Sequence, residues 1–155
     1  HSIWFLYCNE EHTPWTSIAA ANNAKKREEN LIAIFNLDGI GGKSQEEADA
    51  DIKSNVALYY NREGKQLADL MEEVNSVYKI GLTLKKCKQN NFVGTDADSF
   101  IKAGYPRAIT NIGSFPYADP DYHSEGDIPE LVDLTNVRMT TQAVLAAILK
   151  IDSRY

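Results

Sequence analysis

Glu10 and Glu11 stand side by side directly after the apolar run Ile3-Trp4-Phe5-Leu6-Tyr7-Cys8, and Asp38 closes a second run, Leu31-Ile32-Ala33-Ile34-Phe35-Asn36-Leu37. Carboxylates gathered at strand ends repel one another and resist burial unless a cation sits among them. A hydrolytic zinc site needs three protein ligands, an open position for water and a separate carboxylate as general base. Glu11, Asp38 and His123 could supply the ligands and leave Glu10 for the base. Adjacent residues of a regular strand point to opposite faces, but at a strand end that turns into a loop both can reach one ion. A structural or surface role for each acid is the competing reading, and spacing alone favours it. His12 is a rival ligand whose place after the pair directs it to solvent or the strand edge. The string Cys8-Asn9-Glu10-Glu11-His12 is one residue from the inverted zinc-protease motif, which needs histidine at position 8. Cysteine there, with a strand beneath it, sets that reading aside.

These side chains need elements to hold them. Residues 3–8, rich in β-branched and aromatic types and bounded by polar ones, predict a buried strand of an α/β sheet, and ligands gather at the C-terminal edge of such sheets. Thr13-Pro14 offers a cap and a first-turn proline for a helix over about residues 15–26, supported by alanines at 19, 20, 21 and 24. Residues 31–37 form the next strand, so a βαβ-like unit with parallel strands would bring Glu10, Glu11 and Asp38 to one edge.

Residues 43–54 are polar and acidic and read as a solvated loop or short surface helix, without the glycine and ligand spacing of a calcium loop. Residues 56–60 predict a strand and 61–64 its turn. Leu67, Leu70, Met71, Val74, Val77 and Tyr78 then fall on one helical stripe that packs the core. A strand over 81–85, a polar connection over 86–91, a helix over 97–103 capped by Asp96 and stopped at Gly104, and a strand over 107–112 follow. Residues 113–129 carry Phe115, Tyr117, Tyr122 and His123 with three of the five prolines, the composition of a functional loop. The last helix, over 135–151, is apolar on most sides around 144–149 and is expected to be deeply packed.

The chain has 155 residues, enough for one domain that buries roughly 70% of its unfolded surface. With 16 basic and 22 acidic residues the net charge is -6, and the largest basic clusters are Lys25-Lys26-Arg27 and Lys85-Lys86 with Lys88, so nucleic acid is not an expected partner. No apolar run approaches the ~20 residues of a membrane span, and a membrane partner is not expected either. No signal-peptide pattern opens the chain, and the compartment stays open. Cys8 and Cys87 could pair only if the fold brings them together; a buried free thiol is the reading for Cys8.

A wider pattern runs through the chain. The strand-Asn9-Glu10-Glu11 segment is followed by Trp15-Thr16-Ser17, then by Asn36-Leu37-Asp38-Gly39-Ile40-Gly41. After these come Gly94-Thr95-Asp96 with Phe100 and Ala103-Gly104-Tyr105-Pro106, and finally Tyr122-His123-Ser124 with Asp127 and Asp133. In order and spacing these motifs resemble the zinc metallopeptidases that include bacterial leucyl aminopeptidase, a fold that glutaminyl cyclases share.

The resemblance implies a three-layer α/β sandwich with a mixed, largely parallel sheet. It makes Glu10 the general base, Glu11 and His123 ligands of one zinc, and Asp38 a ligand of a second. Asp96 matches a family aspartate close to the catalytic glutamate. Trp15, Tyr122 and Asp127 fall around the substrate pocket, with Asp127 a candidate to accept the second N–H of His123. The family usually has histidine after the matching aspartate, where this chain has Ala97. Its His-x-Asp motif and metal-bridging aspartate lie upstream of the glutamate pair, so the chain reads as the C-terminal part of one catalytic domain, 1–155, incomplete at its N-terminus.

The expected function is hydrolysis of the N-terminal residue of a peptide substrate. A glutaminyl-cyclase-like acyltransferase and a non-catalytic domain of the same fold are the alternatives. Two zinc ions are expected in a complete domain and one or none in this chain, with self-association through surface the missing part would cover.

Overall fold

The computed structural model describes residues 2–9, 12–114 and 118–153. Its regular elements are α1 (Thr16–Lys26), β1 (Ile34–Leu37), α2 (Gln45–Asp49), β2 (Ser54–Tyr59), α3 (Arg62–Val77), β3 (Thr83–Lys88), α4 (Asp96–Lys102), β4 (Ala108–Ile112) and α5 (Leu134–Asp152), with a 3-10 turn at Pro129–Leu131. The four strands lie in the order β1-β4-β2-β3. β1 runs parallel to β4 and β2 parallel to β3, while β2 and β4 are antiparallel.

Side-chain alternation assigns the layers. Ile109 of β4 and Ala57 of β2 pack with Leu67, Met71 and Val74 of α3 and Ala143 and Ala147 of α5. The next residue of β4, Thr110, points to the opposite face, where its hydroxyl meets that of Thr95 at the start of α4 at 2.8 Å. Helix α1 packs on α4. The sheet is thus sandwiched between α3 with α5 and α1 with α4, the three-layer mixed α/β fold that the resemblance implies. The central strands β2 and β4 are buried almost throughout.

The structure corrects the first strand. Residues 3–8 have no regular secondary structure, and Ile3, Trp4, Phe5, Leu6 and Tyr7 are 48–90% exposed. A run of this composition becomes a strand only when a ladder satisfies its backbone, and none of the four described strands pairs with it. The βαβ-like unit predicted over residues 3–37 is therefore absent as a hydrogen-bonded unit. Cys8 and Cys87 are free thiols, and Cys8 is half-buried where full burial was expected.

Other boundaries move for local reasons. Thr13 does not cap α1: Trp15 is the N-cap residue, and the side-chain oxygen of Asn9 accepts from the Thr16 N–H at 3.1 Å. Asn61, expected in a turn, caps α3 by accepting from the Gly64 N–H at 2.7 Å. A Cβ on Gly64 would stand 2.8 Å from the Ala108 carbonyl, so glycine allows α3 to lie close on β4. Strand β3 runs on to Lys88 because lysines stand well on an exposed sheet edge. Thr95 rather than Asp96 caps α4, in a capping box closed by Asp98. Val77 and Tyr78 drop out of the α3 stripe into solvent, and Leu145 and Leu149 make one face of α5 exposed where deep packing was expected.

Candidate active site

Asp38 follows the last residue of β1, and its N–H still donates to the Asn111 carbonyl of β4 at 3.0 Å, so the strand carries the half-buried aspartate to the C-terminal edge of the sheet. The next three carbonyls are all held. Gly39 O accepts from Gly113 N–H at 3.2 Å and from Gly42 N–H at 3.1 Å. Ile40 O accepts from the Asn136 side chain at 2.6 Å, and Gly41 O accepts from Asp133 N–H at 3.1 Å. Gly39 takes φ +55°, the left-handed region that glycine enters freely. A Cβ on Gly113 would clash with the Gly42 carbonyl and lie 3.0 Å from the carbonyls of both Gly39 and Ile40, so glycine is needed there for close approach.

Asn136 is the hub of this clamp. It is fully buried, and its side-chain oxygen accepts from Lys43 Nζ at 2.9 Å and from Ser54 N–H at 2.7 Å. Its amide donates to Ile40 O at 2.6 Å and to Ser54 O at 2.9 Å. Ser54 Oγ in turn donates to Gly113 O at 2.5 Å. Burial pushes the Lys43 ammonium below its ordinary pKa, although Asp133 and Glu47 act in the other direction. For Asp133 burial is outweighed by Lys53 and by the Asn136 N–H, which together hold its carboxyl below the usual carboxylate range. The motifs singled out Asp133 but missed Asn136 and Lys43. A signal exists for Asn136: with Thr140, Ala143, Ala147 and Ile151 it repeats at helical spacing on the buried stripe of α5, a polar residue where only a tertiary partner justifies one.

Glu10 and Glu11 lie outside the described residues, but Asn9 and His12 on either side of them are hydrogen-bonded. Asn9 N–H donates to Thr16 Oγ1 at 3.0 Å, and the Asn9 amide donates to His12 O at 2.8 Å and Pro14 O at 3.1 Å. Asp96, the first residue of α4, is half-buried and contacts the Cys8 thiol, two residues before Glu10. Burial, then the Asp96 charge, pushes that thiol up. Ala97 is buried. Trp15 is half-buried and lines a cavity of about 150 Å³ with Ile18, Gly94, Asp98, Ser99 and Lys102.

His123 is exposed and left-handed, at φ +57°, and its ring stacks on Tyr122 with centroids 3.9 Å apart and planes 17° from parallel. Asp127 is exposed, its N–H donates to Ser124 O at 3.2 Å, and no hydrogen bond joins its carboxylate to the His123 imidazole. Phe115 and Tyr117 lie outside the described residues.

Among the described residues no three His, Cys, Asp or Glu side chains gather as a metal site. Asp38 and His123 have the donor chemistry for zinc, but a three-ligand set on these positions needs Glu11.

A family model described as peptidase family M28 matches residues 1–148. No curated protein matches the chain. Among solved structures, the LapA aminopeptidase of Legionella pneumophila superposes with a TM-score of 0.68 at 17% identity, over 87% of this chain and 35% of that one. At that identity the likeness is one of fold, and the chain spans about a third of the length of the aminopeptidase. With the motifs in family order and the family model matched over nearly its whole length, the chain belongs to peptidase family M28.

Proposed function

We propose that this chain is part of the catalytic domain of a zinc-dependent aminopeptidase that removes the N-terminal residue of a peptide. The observation that carries the reading is the family match together with Asp38, set at the sheet edge by a loop whose three following carbonyls are all hydrogen-bonded. Glu11 and His123 would hold one zinc and Asp38 a second. Zinc bound there supplies an acidified water and a polarised scissile carbonyl. Glu10 would act as the general base, taking a proton from the attacking water and passing it to the leaving amine. Asp96 and Asn9 hold the segment that precedes Glu10, through Cys8 and Thr16 respectively, while Trp15 and Tyr122 would bound the substrate pocket.

On this reading the chain by itself binds zinc weakly and is inactive, because its donors leave each ion short of a three-ligand set. Hydrolysis of a leucyl amide, assayed with added zinc, tests this. Absence of turnover is expected from the chain alone. Turnover abolished by Glu10→Gln would show the donor set sufficient and refute the inactivity. Cyclisation of an N-terminal glutamine peptide in place of leucyl hydrolysis would overturn the aminopeptidase assignment.

A further inference from the structure

The outer side of the α1–α4 pair carries a cavity that the zinc chemistry does not use. The two helices pack directly on one another, and the hydroxyls of Ser17 and Ser99 meet between them at 3.1 Å. Beside that contact the helices part around the cavity of about 150 Å³, whose apolar walls are the Trp15 ring and Ile18. Ile18 is 49% exposed there. Gly94 adds bare backbone at φ +88°, where a Cβ would meet only the Trp15 ring, at 4.0 Å. A cavity of about this volume with apolar walls holds a benzene ring.

The cavity faces away from the sheet. Ala97 and Phe100 form the buried side of α4, which packs on β4. Lys102 is exposed and stands about 200° round the helix from Phe100, and Asp98 about 160°. Any further strand beside β1 would therefore lie behind the helices and not across this mouth.

The free charge at the mouth is of one sign. The Lys102 ammonium sits 4.6 Å from the Phe92 ring centre, which holds it at the rim. Lys25 follows Ile18 by about two turns on the same face of α1, and its Nζ would stand 3.5 Å from a Cβ on Gly104, just past α4. Among the described residues neither ammonium has a carboxylate partner. Asp98 is the acid of the wall, and it is 1% exposed. Its oxygens are taken by the Gly94 and Thr95 N–H groups at 2.9 and 3.1 Å and by the Thr95 hydroxyl at 3.3 Å. The site thus offers cations to an anion and no free carboxylate to a cation.

We propose that this site binds the C-terminal residue of a peptide, with an aromatic or branched apolar side chain in the cavity and the terminal carboxylate on Lys102. A free amino acid brings the same side chain and carboxylate but adds an ammonium, which would face Lys102 and Lys25 with no carboxylate to receive it. The acylated nitrogen of a peptide removes that conflict.

Calorimetric titration of the full chain with N-acetylglycylphenylalanine is the test. Its acetyl group leaves no free amine for an aminopeptidase, so binding is read apart from turnover. A dissociation constant of about 1 mM or tighter is expected. The C-terminal amide of the same dipeptide and free phenylalanine should each bind at least ~5-fold more weakly. Lys102→Met should weaken binding of the acid by at least ~5-fold and leave the amide unchanged. Ile18→Trp, which fills the cavity, should abolish binding of the acid. Both positions are exposed, and circular dichroism should show both variants folded. No binding of the acid at millimolar concentration, an amide or a free amino acid that binds as well as the acid, or binding indifferent to both substitutions would each overturn the proposal.

Discussion

The Asn136 side chain donates to the carbonyl of Ile40 at 2.6 Å, joining residues 96 positions apart and fixing the loop after Asp38 to the first turn of α5. Asn136→Ala would leave the Ile40 and Ser54 carbonyls and the Lys43 ammonium without that partner in a fully buried place. Each buried polar group so orphaned costs about 1–3 kcal/mol, and relaxation recovers part of the sum, so a loss of about 3 kcal/mol is expected. Urea unfolding measures it. A loss below about 1 kcal/mol would mean that the clamp is replaceable by water.

Gly113→Ala tests the same loop from the β4 side. The added methyl would clash directly with the Gly42 carbonyl and must also push back the Gly39 and Ile40 carbonyls, each 3.0 Å away, all of them backbone. Overpacking of this kind costs about 1–3 kcal/mol. A thermal melt should show the drop, and hydrogen exchange should speed up at the Gly113 amide, which donates to Gly39 O.

Lys43 gives the clamp a pH dependence. Burial lowers its folded pKa below the ordinary 10.5 of lysine. In the window between the folded value and 10.5 the unfolded chain holds a proton that the folded chain has released, so unfolding takes up protons and stability rises with pH there. Below the folded pKa the full penalty of a buried ammonium is present. The difference in unfolding free energy between wild type and Lys43→Met, followed through mildly alkaline pH, should therefore shift in favour of the wild type as pH rises. A flat difference would mean that Lys43 stays protonated across the window.

Asn9 and Thr13 make opposite predictions. Asn9 accepts from the first amide of α1 at 3.1 Å, so Asn9→Ala should cost about 1 kcal/mol or more. Thr13, the cap that local sequence suggests, makes no capping bond, and Thr13→Ala should change stability by no more than about 0.5 kcal/mol. Chemical denaturation of the two variants separates the readings.

These cases show which parts of the fold could be read in advance. Helix α3 was legible because Leu67, Leu70, Met71 and Val74 repeat at the helical period and all four are buried. Strands β2 and β4 were legible as short apolar runs between polar ones. Residues 3–8 carry the same local signal and fail, because a strand's stability resides in its partner and the run contains no information about whether one is present. Asn9 capping Thr16 from seven residues away departs from the usual N-cap position, and Asn136 bonding Ile40 is a tertiary event 96 residues apart that no local window contains. Asp38 was placed at a strand end by the apolar run before it and stands at one; Glu10 and Glu11 lie outside the described residues.

Zinc titrated into the chain by calorimetry, with Asp38→Ala and His123→Ala alongside the wild type, tests the metal site most directly. Two donors on one ion and one on another hold zinc loosely, so the predicted result is a dissociation constant of about 1 μM or weaker, raised at least ~10-fold in each variant. Stoichiometric binding at nanomolar affinity, or weak binding that neither substitution alters, would contradict the assignment of these residues as part of a metallopeptidase site.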